Sequence, residues 1–196
     1  MSRVDALRAA VAALPDAAFV VTCGATSREM AAVADRPGNL YLLDSMGLTT
    51  SVAFGVAVGL RERFPHVVAI DGDGSLLMNL GSLATIGAQA PTNLTILLLD
   101  NGEHASAGGM PTIANRIDLC RVAEACGFRT TEVTSADGLT TGLRAAAIGG
   151  PPHLLRARIA RGNATGVPWL HADPVLVGDR FRSWALADAP PVGMGV

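Results

Sequence analysis

Two aspartates, Asp71 and Asp73, stand among glycines directly after an apolar run, in the stretch VAIDGDGSLLMNLG at 68–81. Asn101 follows the next apolar run, at a separation that suits one strand–helix–strand unit. The side chains of Asp73 and Asn101 can therefore meet at one edge of a parallel sheet. A carboxylate oxygen and an amide oxygen are hard ligands, which suit Mg²⁺ when a phosphate group also contacts the ion. Two unrelated turns would give the same Asp-Gly and Asn-Gly dipeptides without any such site.

The glycines on either side of Asp73 would let backbone N–H groups approach a phosphate closely. A helix N-terminus after Ser75 would add a favourable dipole. Because ligands of a parallel sheet bind beyond the carboxyl ends of its strands, polar segments that follow predicted strands indicate a binding site at that edge. Three more such segments are present, namely CGATSRE, DSMGLTT and DNGEHASAGG.

Apolar runs typical of strands alternate with helical patterns about six times along the chain. The runs are continuous rather than alternating, which fits a parallel sheet covered on both faces. We expect an α/β fold, a single three-layer domain over 1–196 with a six-stranded, mostly parallel sheet, and a C-terminal tail at 162–196. Strands are predicted at 18–23, 40–44, 66–70, 93–100, 129–134 and 153–160, and helices at 4–14, 49–60, 80–90, 118–127 and 137–150. The composition of 49–60 fits a helix or a strand, and its length and small residues favour the helix.

The composition excludes several classes of protein. Of the 196 residues, 49% are hydrophobic and 16% are charged, which indicates a folded globular protein with part of its surface covered by a partner. The net charge of −2 and the absence of a basic cluster argue against nucleic-acid binding. The longest apolar stretch, 52–60, is too short to cross a membrane, and we expect no signal peptide. Three cysteines without a CxxC pattern predict a cytoplasmic location.

The segment Gly72–Ser75, followed by Asp100 and Asn101, resembles the cofactor motif of thiamine diphosphate enzymes, which begins GDG and ends NN. More closely, the chain is similar to the family of sulfopyruvate and phosphonopyruvate decarboxylases. Its length is like that of the beta subunit of the two-subunit sulfopyruvate decarboxylases. The matching segments are GATSRE (24–29), DSMG (44–47), GDGSLLMNLGSLATIG (72–87) and LDNGEHASAGGMPT (99–112).

The resemblance implies thiamine diphosphate and Mg²⁺ as cofactors, bound by a domain of the diphosphate-binding (PP) type. It implies that Asp73, Asn101 and the backbone carbonyl of Glu103 ligate Mg²⁺. Met46 would be the bulky apolar support beneath the thiazolium and pyrimidine rings, although a core methionine is the alternative. The diphosphate would be surrounded by Gly72, Gly74, Ser75, Thr26 and Ser27.

Two residues near these motifs keep alternative roles. His104 could act in proton transfer or contact the substrate, or it could simply be a solvated loop histidine. Arg28 could face an anion or pair with a surface carboxylate. Two departures from the family pattern bear on these roles: Asp100 replaces a first Asn, and Pro168-Trp169-Leu170-His171 stands where relatives often carry Pro-Arg.

The resemblance also implies that this chain forms half of an active site. Enzymes of this superfamily activate the cofactor with a glutamate on a separate pyrimidine-binding domain, across a subunit interface. We therefore expect an alpha-type partner subunit that carries this domain and the catalytic Glu, and a small anionic 2-oxoacid as substrate. None of the chain's own glutamates, Glu29, Glu62, Glu103, Glu124 and Glu132, is in a suitable setting.

Two other functions compete with this interpretation. The beta subunit of a 2-oxoacid:ferredoxin oxidoreductase shares the GDG motif, but such subunits usually carry clustered cysteines, unlike Cys23, Cys120 and Cys126 here. A non-catalytic scaffold subunit would have no reason to keep both metal ligands. A Rossmann dehydrogenase is excluded because no GxGxxG follows the first strand.

Overall fold

The computed structural model describes residues 1–63 and 66–187 and is built around a six-stranded sheet in which every neighbouring pair of strands is parallel. The strands are β1 (Ala18–Val21), β2 (Asn39–Tyr41), β3 (Val67–Gly72), β4 (Leu94–Asp100), β5 (Glu103–His104), β6 (Met110–Pro111), β7 (Arg129–Val133) and β8 (His153–Arg158). The helices are α1 (Arg3–Ala13), α2 (Ala25–Ala34), α3 (Thr49–Gly59), α4 (Asp73–Met78), α5 (Ser82–Gln89), α6 (Leu119–Ala125), α7 (Ala136–Ala146) and α8 (Pro174–Ala185), with a 3₁₀ turn at Ala105–Ala107.

The strand order in the large sheet is β2-β1-β3-β4-β8-β7, and a separate antiparallel hairpin pairs β5 with β6. Helix α2, which follows β1, packs on the same face as α1, whereas α3 packs on the other face. Helix α5, which follows β3, lies with α3. The chain therefore leaves β1 and β3 toward opposite faces of the sheet. Such a switch point opens a crevice at the carboxyl ends of the two strands.

Each sheet face covers its own hydrophobic core, as three layers require. Along β1, Ala18 and Val20 contribute to one core, and Phe19 and Val21 to the other. All seven residues of β4 are buried. This double burial explains why the strands are continuous apolar runs and confirms the predicted α/β class with a parallel sheet.

Two predicted loops are helical in the structure. The segment CGATSRE was interpreted as a loop, but α2 begins at Ala25, so Thr26 and Ser27 lie in its first turn. Helix α4 begins at Asp73 rather than after Ser75. The polar residues and glycines that suggested loops in fact occupy helix N-termini.

The predicted C-terminal tail also contains a helix. Asp173 caps α8 by accepting a hydrogen bond from the Val175 N–H at 2.8 Å, and Pro174 occupies the first turn. Phe181 packs into the core. Residues 188–196 of this predicted tail lie outside the described part of the chain. Within the described residues, no helix combines the length and apolarity that crossing a bilayer requires.

Helices α5 and α6 approach so closely at Gly87 that a Cβ there would overlap the backbone carbonyl of Cys126. Gly55 on α3 has no atom within 4 Å of the position of an added Cβ. The two helical glycines thus differ in the room that is available for a side chain at each position.

We expect Gly87→Ala to lower the free energy of unfolding by about 1–3 kcal/mol, because the two helices must move apart. The control Gly55→Ala should raise it by about 0.5–1 kcal/mol through helix propensity. Urea denaturation of the purified variants measures both values. Equal effects of the two substitutions would contradict the close helix contact.

Candidate active site

A groove lies at the carboxyl edge of the sheet, where the segments after β1, β2, β3 and β4 meet. Its volume is about 70 Å³, and it is open to solvent. All of the predicted site residues except Ser27 line it, and Ser27 lines the cavity next to it. The lining includes Thr26, Met46, Gly72, Asp73, Gly74, Ser75, Asn101, Glu103 and His104.

The hydroxyl of Ser75 ties three of these segments together. Its Oγ accepts a hydrogen bond from the Thr22 hydroxyl at 3.2 Å and another from the Gly47 N–H at 3.0 Å. Thr22 follows β1, and Gly47 follows β2. Ser75 is buried, so its side chain fixes the shape of the groove from below.

Asp71 and Asp73, the two aspartates of the DGD stretch, have different surroundings. Asp71 is fully buried, and its Oδ1 accepts from the Gly72 N–H at 3.0 Å. Burial raises the pKa of Asp71 to about 6. Asp71 does not line the groove.

Asp73 lines the groove although only 1% of its surface is exposed. The Thr112 hydroxyl donates to its Oδ2, and no ion pair among the described residues involves it. Burial raises the pKa of the Asp73 carboxyl, and the negative charge of Asp100 raises it further. A buried carboxylate without a cationic side chain is costly, and a bound cation would remove that cost.

The segment after β4 forms a tight turn whose Asn101 and Glu103 line the groove together with Asp73. The Asn101 Oδ1 accepts from the Glu103 N–H at 3.1 Å, and Gly102 takes a positive φ of 71°. Glu103 lies opposite Pro111 in the hairpin, and the Thr112 N–H donates to the Gly102 carbonyl at 3.0 Å. Glu103 therefore occupies a non-hydrogen-bonded position, and its carbonyl points away from β6.

These donors suit a magnesium ion. Among the described residues, no group of three or more His, Cys, Asp or Glu side chains is placed to hold a metal. A magnesium site does not need one, because Mg²⁺ commonly takes one or two carboxylates together with phosphate oxygens and water. One carboxylate, one amide oxygen and one backbone carbonyl are the hard oxygen ligands available here.

The three cysteines are free.

A buried ionic network, which the sequence analysis missed, supports the Asn101 turn. The Asp100 Oδ2 accepts from the Arg156 Nε at 2.7 Å and from the Arg158 Nη1 at 2.9 Å. Its Oδ1 accepts from the Gly102 N–H at 3.0 Å. The signal in the sequence was two arginines at alternate positions of an apolar strand, which places both on one face of β8.

His104 packs directly against the backbone of Gly74, where any Cβ would overlap the imidazole ring. Position 74 therefore accepts only glycine unless His104 moves. The contact joins the β5–β6 hairpin to the first turn of α4. It places the His104 ring at the groove wall.

A second buried ion pair, also missed, joins α1 to α2. The Arg3 Nη1 donates to the Glu29 Oε1 at 2.9 Å, and the same oxygen accepts from the Ala164 N–H at 2.9 Å. Arg3 lines the groove, although it stands near the start of the chain. No pattern in the sequence indicates this pair, because its partners depend on how the two helices pack.

Comparison with known proteins identifies the chain's family. Residues 22–157 match the family model described as "Thiamine pyrophosphate enzyme, C-terminal TPP binding domain". The chain belongs to this family of thiamine pyrophosphate enzymes. The predicted recognition of a thiamine diphosphate-binding domain is confirmed.

The decarboxylase relatives are of two lengths. A phosphonopyruvate decarboxylase of Streptomyces viridochromogenes is 44% identical over 98% of this chain and 48% of its own length. The chain thus spans about half the length of such relatives. The sulfopyruvate decarboxylase subunit beta of Methanothermobacter thermautotrophicus is 39% identical over 92% of this chain and 94% of its own length.

Solved structures share the fold at lower identity. A putative thiamin diphosphate-dependent enzyme from Mycobacterium smegmatis superposes with a TM-score of 0.69 at 24% identity, covering 81% of this chain and 32% of its own. A 4-hydroxybenzoylformate decarboxylase from Rhodococcus jostii RHA1 gives a TM-score of 0.70 at 21% identity, covering 84% and 33%. These likenesses establish the fold of a thiamine pyrophosphate enzyme domain.

We expect Asp100→Asn to lower the free energy of unfolding by about 3–5 kcal/mol, because it leaves Arg156 charged and buried without its main partner. The control Asp35→Asn removes the partner of Arg180 in a pair whose side chains are 41% and 37% exposed. Asp35→Asn should lower the free energy of unfolding by about 0–1 kcal/mol, because exposed ion pairs contribute little to stability. Equal losses in urea denaturation would show that burial does not set the strength of the Asp100 network.

Proposed function

We propose that this chain is the diphosphate-binding subunit of a thiamine diphosphate- and Mg²⁺-dependent 2-oxoacid decarboxylase. The proposed substrates are 3-sulfopyruvate, which would give sulfoacetaldehyde, or 3-phosphonopyruvate, which would give phosphonoacetaldehyde. The observation that carries the proposal is the buried, unpaired Asp73 carboxylate beside the Asn101 turn in a thiamine pyrophosphate-binding domain. The match to a sulfopyruvate decarboxylase beta subunit over 94% of that subunit's length supports the choice of reaction.

In this proposal Asp73, Asn101 and the Glu103 carbonyl hold Mg²⁺. The diphosphate lies along Gly72, Gly74 and Ser75 and at the start of α2. Gly24 begins α2 without any side-chain cap, so the first N–H groups of the helix have no capping side chain, and Gly24, Ala25 and Thr26 line the groove. Free N–H groups at a helix N-terminus suit a phosphate.

The cofactor would supply the electron sink for loss of CO₂ from a 2-oxoacid. Met46 would support the cofactor rings, which fits its half-buried position at the junction of the groove and the adjoining cavity. His104 would exchange protons with, or contact, the substrate from the groove wall. We also propose a cytoplasmic location, which the three free cysteines support.

The proposal includes an alpha-type partner subunit with the pyrimidine-binding domain and the catalytic glutamate. Large apolar side chains are exposed on segments that are neighbours, along the sequence, of those that line the groove. Such exposure supports a partner that covers this surface. The exposed side chains include Leu48, Met78, Met110 and Ile113. In this proposal none of the chain's five glutamates, all of which lie among the described residues, takes the catalytic role. Glu29 pairs with Arg3, and Glu132 pairs with Arg156 and Arg158. The Glu103 carboxylate accepts from the Gly162 N–H, and the Glu124 carboxylate accepts from the Thr130 hydroxyl. Glu62 is exposed.

We expect the purified chain alone to show no decarboxylase turnover. Co-expression with its partner subunit should give CO₂ release from 3-sulfopyruvate or 3-phosphonopyruvate that depends on both thiamine diphosphate and Mg²⁺. A coupled aldehyde assay with and without EDTA measures this. Full turnover by the isolated chain would contradict the shared active site, and an inactive complex with both substrates would contradict the reaction.

We expect Asp73→Asn to weaken Mg²⁺ binding in the presence of thiamine diphosphate by at least about tenfold, because a charge-assisted ligand is lost. The ligand-free fold should remain as stable as wild type or become more stable, since a buried charge is removed. Calorimetric titration with Mg²⁺ measures the affinity. The control Asp137→Asn changes an exposed carboxylate in the first turn of α7. Wild-type Mg²⁺ affinity in the Asp73 variant would exclude it as a ligand.

A further inference from the structure

A larger cavity adjoins the groove on the side of α2. Its volume is about 450 Å³, and it shares Cys23, Gly24, Met46 and Ser106 with the groove. A small molecule that occupies the groove next to Met46 can therefore extend into this cavity. The volume lies within the range of small-molecule binding sites in proteins.

Arg28 is the one arginine or lysine among the described residues that line the cavity. Its guanidinium lies 4.7 Å from the centroid of the Trp169 ring. None of the ion pairs among the described residues involves Arg28, and its buried Nε has no hydrogen-bond partner. Asp44 also lines the cavity, but it forms no ion pair with Arg28 in the described part of the chain. The cation is thus held by an aromatic face and lacks an anion.

The rest of the lining suits an oxyanion. His171 contributes an exposed imidazole, and Ser106 contributes an exposed hydroxyl. A guanidinium stacked on a ring keeps its N–H groups directed outward in its own plane, where a tetrahedral oxyanion accepts two of them. A neutral apolar group would leave the buried Nε unsatisfied.

We propose that this cavity binds the acidic head group of the substrate, a phosphonate or sulfonate on a small 2-oxoacid, with Arg28 as its main ligand. This inference rests on the proposed decarboxylase function and assigns the substrate specificity of the same site. The keto acid end of the substrate lies toward Met46, and the head group lies toward Arg28, Trp169 and His171. Arg28 acts as a binding residue for the head group, separate from the metal and diphosphate ligands.

The first test compares substrates in the complex with the partner subunit, loaded with thiamine diphosphate and Mg²⁺. The variants are Arg28→Gln and Arg28→Lys, and the control is Arg144→Gln, which removes an exposed arginine on α7. For each we measure kcat/KM with 3-sulfopyruvate, 3-phosphonopyruvate and pyruvate, which lacks the head group. Arg28→Gln should lower the ratio of kcat/KM for the acidic substrate over pyruvate by about 10- to 100-fold. The same ratio for Arg28→Lys should lie between the values for Arg28→Gln and wild type.

The outcomes separate this inference from the proposed function. A wild-type complex that decarboxylates none of the three acids overturns the proposed function and this inference with it. An active wild type whose ratio is unchanged by Arg28→Gln overturns this inference alone. The acid whose ratio falls more identifies the head group that Arg28 binds.

The second test uses binding without turnover. Sulfoacetate and phosphonoacetate are added to the complex while the fluorescence of Trp169 is followed. The same complex with Trp169→Phe gives the background from Trp184, the other tryptophan of this chain, and from any tryptophan of the partner subunit. Saturable quenching that disappears in Arg28→Gln but persists in Arg144→Gln supports the site. No change with either anion, in a complex that is otherwise active, overturns the inference.

Discussion

The buried carboxylate of Asp73 is the constraint around which the site is arranged. Burial disfavours its charged form, and the negative Asp100 lies near enough to add to the cost. The charge lies in a groove, and among the described residues the Thr112 hydroxyl is the one side-chain hydrogen-bond donor to it. In the proposed site, a divalent cation bound to this carboxylate would offset both the cost of burial and the repulsion from Asp100.

Asp73 and Asp100, at the ends of neighbouring strands, are both buried, but their charges are balanced in different ways. Asp100 is neutralised within the chain by Arg156 and Arg158, so it serves as a fixed anchor for the turn that carries Asn101. Asp73 has no such arginine. The contrast assigns a structural role to one carboxylate and leaves the other for a ligand, although the two stand at equivalent ends of β4 and β3.

The sequence predicted the parts of the fold that follow from local pattern. Strands such as β4 are continuous apolar runs, and α7 is a helical pattern between turn signals. Helix α3 was predicted from its length and small residues, because its composition fits either a helix or a strand. Helix α2 was not predicted, because its first turn, Ala-Thr-Ser-Arg-Glu, is polar and follows a glycine, as a binding loop would. The groove residues came from a family motif, which is local in sequence. The partners of Asp100 and of Glu29 could not be predicted, because they depend on which strands and helices become neighbours.

The parallel strand order of the large sheet affects how the groove forms during folding. Among the strands of the described residues, only β5 and β6 are close neighbours along the chain; every pair in the main sheet closes through a helical crossover. Long-range closure of this kind slows folding, since the entropy of each loop is lost before its contacts form. The groove draws on four separate crossovers, so it cannot exist in a partly assembled chain. The complete groove is therefore expected only once β1, β2, β3 and β4 are paired, and affinity for the cofactor would report on the pairing of these four strands.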